Sequence, residues 1–174
     1  MAVGAELVDL ARRAQGGERI ARDELLRELY AIVRKHMFYV LGGGALVDDA
    51  VQETMIALYR GLDGFRGEAN PRTWALTIAT RTAAKIRRKE ARYVATEAVD
   101  TAVFDVDAAA AAEMVMLQRA LATLTDKKRE AFILMSILEL TAEEAGQVLS
   151  TFANTAASRN RHACDELEKY LVSK

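Results

Sequence analysis

A single proline in 174 residues is the feature that most limits the folds open to this chain. Proline ends or kinks helices, so long proline-free segments can remain helical. Pro71 directly follows Asn70, and this pair is typical of a helix start, with asparagine as the N-cap and proline at the first helical position. Helix-favouring Ala, Leu, Glu and Arg are abundant, whereas aromatic residues make up 6%. The sequence therefore predicts an all-α fold.

Apolar spacing and glycine positions divide the chain into helices. Residues 5–15 and 21–41 have helical periodicity, and three consecutive glycines then interrupt the chain. Asp48 is the expected N-cap of the third helix. Another helix is predicted from residue 72 to about 92. The alanine run that follows predicts a further helix start, although one continuous helix through residues 94–112 stays open, because alanine is the best helix former.

Charge is distributed unevenly along the chain. The net charge is −1 overall, but residues 60–93 carry nine basic and three acidic side chains, whereas residues 94–113 carry five acidic and no basic ones. Such a change indicates a change of role near residue 94. We therefore predict two small helical domains, residues 1–93 and 114–174, joined by an acidic, Ala-rich linker over residues 94–113.

Several classes of site are not expected from this composition. One cysteine and two histidines without ligand spacing predict neither a disulfide framework nor a metal site, and no cofactor motif is present. His36 lies on an apolar helix face and is expected to be packed. No paired nucleophile and base occurs, so an enzyme is not expected. No apolar run reaches membrane-spanning length and no leader pattern is visible, so we expect a cytoplasmic protein without membrane insertion.

The third helix is amphipathic. An apolar stripe contains Val51, Met55, Leu58 and Leu62, and the opposite side carries Asp49, Gln52 and Glu53. For an arbitrary helix, a solvated face would be the preferred interpretation of these polar residues.

The helix after Pro71 combines a basic stripe with a stripe of small residues. About 100° per residue places Arg81, Lys85 and Arg88 on one face, and Ala75, Ala79 and Ala83 beside it. Basic helices are often only solvated. Here six cationic side chains between residues 81 and 92 face one anionic side chain, so an anionic partner such as DNA is favoured.

A helix–turn–helix pattern lies near the C-terminus. Thr141-Ala142-Glu143-Glu144 has the form of a capping box. After a short turn, Asn154 is expected to cap a second helix that starts at Thr155. Asn160 falls in the apolar stripe of this helix and predicts less firm packing, because a buried amide needs hydrogen-bond partners.

Three motifs together resemble region 2 of the extracytoplasmic-function RNA polymerase sigma factors. They are Asp-x-x-Gln-Glu at 49–53, Phe-Arg-Gly-Glu at 65–68, and Thr73-Trp74. The C-terminal pattern is similar to sigma region 4, matching it at Thr141, Glu143, Glu144, Leu149, Thr155, Ser158 and Arg159. The resemblance implies a region 2 helical bundle, a region 4 helix–turn–helix domain, and promoter-specific transcription initiation with help in melting DNA.

The same resemblance implies three sets of site residues. Core RNA polymerase would contact Asp49, Gln52, Glu53, Met55 and Tyr59. The promoter −10 element would contact Phe65, Arg66, Gly67, Glu68, Asn70, Arg81, Lys85 and Arg88. The −35 element would contact Thr155, Ser158, Arg159, Arg161 and His162. An unstacked base needs a loop that approaches closely, which a glycine allows, and the family places Trp74 against the domain core.

The second half departs from the family pattern. Ser150, Phe152 and Asn154 replace the usual Gly-x-Pro-x-Gly turn, and Ala157 stands where a basic residue is common. We therefore predict weak −35 binding by the isolated C-terminal domain. The resemblance also implies an anti-sigma factor partner. Two other functions stay open: a polymerase-independent helix–turn–helix DNA-binding regulator, and a sigma-like decoy or interaction protein.

Overall fold

The structure is a computed structural model that describes residues 4–67, 69–93 and 108–172. All regular structure in these residues is helical, which confirms the predicted all-α fold. A 3₁₀ turn, Leu62–Gly64, follows the third helix, and a π-helix, Ile133–Ile137, follows the sixth. The α-helices are α1 Gly4–Gln15, α2 Arg19–Leu41, α3 Ala45–Gly61, α4 Pro71–Tyr93, α5 Ala108–Thr123, α6 Asp126–Phe132, α7 Ala142–Val148 and α8 Ala153–Val172.

Two of the predicted helix starts are confirmed. Asn70 Oδ1 accepts a hydrogen bond from the backbone N–H of Arg72 at 2.9 Å, just before α4 begins at Pro71. The backbone N–H of Glu144 donates to Thr141 Oγ1 at 3.2 Å, and the backbone N–H of Thr141 donates to the Glu144 carboxylate at 2.9 Å. This reciprocal capping box satisfies two backbone donors at the start of α7.

Two other predicted caps are wrong. The N-cap of α3 is Gly44, at φ +78°, so the helix begins earlier and Asp48 lies inside it. A glycine adopts this backbone conformation without a steric penalty. The helix α8 begins at Ala153, and the carbonyl of Phe152 accepts its first hydrogen bonds from Thr155 and Ala156. Asn154 is therefore a helical residue and not a cap.

The predicted linker is partly helical. The alanine run forms the first turns of α5 from Ala108, as expected from its helix propensity. Residues 94–107 lie outside the described residues, and so does the alternative of one continuous helix through them. The division of the chain into two domains stays a prediction.

The helices α1 to α4 enclose an apolar core. Val51, Leu58 and Leu62 are buried as the stripe on α3 predicted, and Met55 is partly buried. The small stripe on α4 is also buried, at Ala75, Ala79 and Ala83. Side chains this small allow α4 to pack closely against its neighbours.

The same core continues into the C-terminal half. Ile133, Leu134 and Leu138 are buried in one apolar cluster with residues of α2 and α4. Lys35 Nζ donates to the carbonyl of Ile137 at 3.1 Å, and the Arg72 guanidinium donates to the carbonyl of Leu138. Two cations thus satisfy carbonyls at the end of the π-helix, where helical partners are missing. These contacts hold the start of the helix–turn–helix against α2 and α4.

A smaller cluster joins α5 to α8. It contains Ala120, Leu121, Leu124, Ala163 and Leu167. Arg129 donates to the carbonyls of Leu121 at 2.8 Å and Leu124 at 3.0 Å. These bonds cap the end of α5 and orient α6 beneath α8.

Candidate functional sites

A groove of about 900 Å³ runs between α2 and α3. It contains three of the residues predicted to contact polymerase, namely Gln52, Met55 and Tyr59. The lining of the groove is completed by charged, aliphatic and aromatic residues, namely Asp23, Leu26, Arg27, Tyr30, Asp48, Val51, Ile56 and Arg60.

Several aromatic and aliphatic side chains of the groove are exposed, and Tyr59 also contacts a neighbouring cation. The Arg22 guanidinium lies 5.4 Å from the centre of the Tyr59 ring and also forms an ion pair with Asp63. Ile56 and Tyr30 are each 45% exposed in the same groove. Neither was predicted. Ile56 lies on the face of Gln52 and Tyr59 by helical spacing, so periodicity could have found it, whereas Tyr30 comes from another helix.

The two acidic residues predicted to face polymerase lie outside the groove. Asp49 and Glu53 are exposed on the side of α3 next to the groove residues. The Glu53 carboxylate accepts from Lys85 Nζ of α4 at 2.5 Å. The predicted set is therefore divided between the groove and a border that faces α4, and its role in partner binding stays a prediction.

The loop before α4 is supported from the core side. The Phe65 ring packs on Trp74 with centroids 4.9 Å apart, and the Phe65 carbonyl accepts a hydrogen bond from the Gln15 amide. Trp74 is half-buried and packs against the main core, as favoured from the resemblance. Gly67 has φ +70° and open space around it, a conformation that favours glycine.

Three other residues of the predicted −10 set belong to this loop, namely Arg66, Glu68 and Asn70. The Asn70 side-chain oxygen caps α4, so only its amide nitrogen can serve a further acceptor. Glu68 lies outside the described residues. Arg66 is exposed beside Gly67.

The basic stripe on α4 is exposed, as predicted for Arg81, Lys85 and Arg88. Arg81 and Arg88 line a second cleft of about 760 Å³, into which α6 brings Asp126 and Glu130. Burial raises the pKa of the Glu130 carboxyl above its ordinary value. Carboxyl groups of the C-terminal half thus lie beside the basic helix in this arrangement.

The helix–turn–helix presents the third predicted set on α8. Arg161 and His162 are exposed, and Thr155, Ser158 and Arg159 are partly exposed.

Asn160 on α8 has the hydrogen-bond partner that its position requires. Its side-chain oxygen accepts from Ser136 Oγ at 2.9 Å. The amide oxygen is therefore paired from the π-helix, and the less firm packing of α8 at this position stays a prediction.

The turn between α7 and α8 depends on a close backbone approach at Gly146. A Cβ atom there would lie 2.9 Å from the Thr151 carbonyl oxygen and 3.2 Å from the Ala153 nitrogen. Because both contacts are backbone, we expect Gly146→Ala to lower the free energy of unfolding by about 1 to 3 kcal/mol. Urea unfolding measures this loss. Gly64→Ala is the control, since a Cβ atom there meets nothing within 4 Å; equal midpoints for both variants would contradict the prediction.

The described ranges contain neither a metal-binding cluster nor a membrane-spanning helix. No group of three or more His, Cys, Asp or Glu residues there could hold a metal ion. None of the helices in those ranges is both long and apolar enough to cross a membrane.

Comparison with known proteins agrees with these features. The family model of sigma-70 region 2 matches residues 22–93, which contain the groove, the loop and the basic stripe. The RNA polymerase sigma factor YlaC of Bacillus subtilis strain 168 is 26% identical over 158 residues, covering 86% of this chain and 91% of that protein. The RNA polymerase sigma factor NccH of Alcaligenes xylosoxydans xylosoxydans is 28% identical over 175 residues, covering 94% of each chain.

Solved structures share the fold. CnrH, solved in complex with the cytosolic domain of CnrY, superposes with a TM-score of 0.77 at 22% identity, over 97% of this chain and 99% of that one. The sigma factor RpoE from Bartonella quintana, solved with the anti-sigma factor NepR, gives a TM-score of 0.73 at 22% identity, over 86% and 95% of the two chains. Residues 22–93 thus match sigma-70 region 2, and over most of its length the chain is similar to RNA polymerase sigma factors.

Proposed function

We propose that this sigma factor binds core RNA polymerase through the groove between α2 and α3 and directs initiation at promoters with −10 and −35 elements. The observation that carries the proposal is the position of three surfaces on one short segment. The groove, the loop around Gly67 and the basic stripe all lie within the region 2 match at residues 22–93. The proposed polymerase surface and the proposed DNA surface would thereby lie close together in the chain.

The groove has the character of a protein interface. Exposed Tyr30, Ile56 and Tyr59 line it together with charged residues such as Asp23, Arg27 and Arg60. Central aromatic and aliphatic anchors with a polar rim are typical of stable protein contacts. A helical partner fits a groove between two helices, and the coiled coil of the polymerase largest subunit is the partner that the family resemblance implies.

The DNA surfaces act by binding and not by catalysis. The loop around Gly67 would hold an unstacked base of the −10 element, which favours the melted state of the DNA. The stripe of Arg81, Lys85 and Arg88 would follow phosphates, and α8 would enter the −35 major groove. Polymerase and promoters lie in the cytoplasm, so the proposal places the protein there.

An anti-sigma factor is the second proposed protein partner. CnrH was solved with CnrY, and RpoE of Bartonella quintana with the anti-sigma factor NepR. Both have the fold of this chain. We propose that a comparable protein holds this chain inactive until it is released.

Run-off transcription with core polymerase and fragmented DNA of the source organism tests the main function. The proposal expects defined transcripts only when this chain and core polymerase are both present. Sequence-specific DNA binding without core polymerase, together with no transcripts, would favour the free-standing regulator. Tight core binding without transcripts would favour the decoy.

The basic stripe gives a separate prediction. We expect Arg81→Ala and Arg88→Ala each to weaken promoter binding by holoenzyme and to reduce the slope of log K against log salt by about 0.9, because each removes one phosphate contact. Arg19→Ala is the control, since Arg19 is exposed at the start of α2, away from the stripe. Promoter titrations over a salt series measure the slopes. If both stripe variants keep the slope of the Arg19 variant, the stripe is only a solvated face.

A further inference from the structure

Phe152 is held outward by the turn that precedes α8. Its side chain is 84% exposed, the highest value among the large apolar side chains of the described residues. Its carbonyl accepts from the N–H groups of Thr155 at 2.9 Å and Ala156 at 3.1 Å. The turn is fixed further by the N–H of Thr151 donating to the Gly146 carbonyl at 2.9 Å. These hydrogen bonds therefore fix the backbone at Phe152, from which the exposed ring projects.

The surroundings of Phe152 suit a nucleic acid. Phe152 directly precedes α8, and about 100° per residue places Thr155, Arg159 and His162 on one stripe of that helix. Residues 150–164 include Arg159, Arg161 and His162 and no Asp or Glu. An exposed apolar ring at the start of a helix that carries hydrogen-bond donors is complementary to the edge of a base pair and its phosphates.

We propose that Phe152 determines sequence specificity at the −35 element by contacting the C5-methyl group of a thymine. This inference rests on the proposed function. The N-terminal residues of the second helix of a helix–turn–helix reach base edges in the major groove. On those edges the thymine methyl is the apolar group, and phenylalanine is among the side chains that contact it. Phe152 occupies the turn position where the family has proline, so the preference would be particular to this chain.

The first experiment compares binding preferences of holoenzymes. Full-length wild type, Phe152→Ala and Val172→Ala are each combined with core polymerase and used to select from promoter duplexes randomised at the −35 region. Val172 is the matched control, because it is 82% exposed at the C-terminal end of α8, whereas Phe152 directly precedes the start of that helix. We expect wild type and Val172→Ala to enrich thymine at one shared position. Phe152→Ala is expected to lose about fourfold of that preference, the effect of burying one methyl group.

The second experiment replaces the enriched thymine by deoxyuridine, which lacks only the methyl group. Wild-type holoenzyme is expected to bind the deoxyuridine duplex about fourfold more weakly than the thymine duplex. The Phe152→Ala holoenzyme is expected to bind both duplexes equally well. The role of Phe152 would be overturned if wild type and Phe152→Ala selected identical sequences, or if Val172→Ala lost the thymine preference as well. Either result would leave the proposed function standing. A wild-type holoenzyme that selects no sequence would overturn the proposed function together with this inference.

Discussion

Ile56→Glu is expected to lower the affinity of this chain for core RNA polymerase by about a hundredfold. Ile56 is 45% exposed in the groove between Gln52 and Tyr59, where the proposed partner would cover it. An unpaired carboxylate buried in such a contact costs about 3 kcal/mol, and about 1.4 kcal/mol corresponds to tenfold in affinity. Glutamate is a good helix former, so α3 itself should remain intact.

Titration of core polymerase with labelled protein measures this change, and a melting curve reports on folding. Val8→Glu is the matched control, because Val8 is 50% exposed on α1 and lies outside the groove. Both variants should melt close to the wild type, since exposed substitutions rarely change stability by more than about 0.5 kcal/mol. Equal affinities for core polymerase would remove the groove from the interface.

The stability of the fold is expected to fall by about 2 to 3 kcal/mol between about pH 7.5 and about pH 4.5 because of His36 alone. Its ring is fully buried, with Nε2 3.2 Å from Thr80 Oγ1, and burial lowers its pKa to about 4. The unfolded chain, with a pKa near 6.5, therefore binds more protons at acid pH. This contribution to stability is complete above pH 6.5 and is lost as the pH falls toward about 4.

Urea unfolding of wild type and His36→Leu at both pH values isolates this effect. Leucine fills a similar volume and does not titrate, while every other titrating group is common to the two proteins. As the pH falls, the free energy of unfolding of the wild type should therefore decrease more than that of the leucine variant. Parallel pH profiles would contradict the prediction and show that the folded protein accommodates a protonated His36.

Much of the candidate site follows from local sequence patterns, and the rest does not. The exposed stripe on α4 and the exposure of Gln52 could be predicted, because helical spacing decides which side of a helix each residue occupies. The half-buried position of Trp74 was expected from the family resemblance instead. The same spacing did not separate Glu53 from the groove. Glu53 instead forms an ion pair with Lys85, a residue of another helix.

The sequence by itself determined the helices and their best-marked starts, at Asn70-Pro71 and at Thr141, because these depend on residues within one helical turn of each other. Only the tertiary structure decided that Tyr30 joins α3 in one groove, and that Arg72 and Lys35 cap the π-helix of the other half. It also placed Asp126 against the basic helix. Such contacts join residues tens of positions apart, and the geometry of packed cores selects them without leaving a periodic pattern in the sequence.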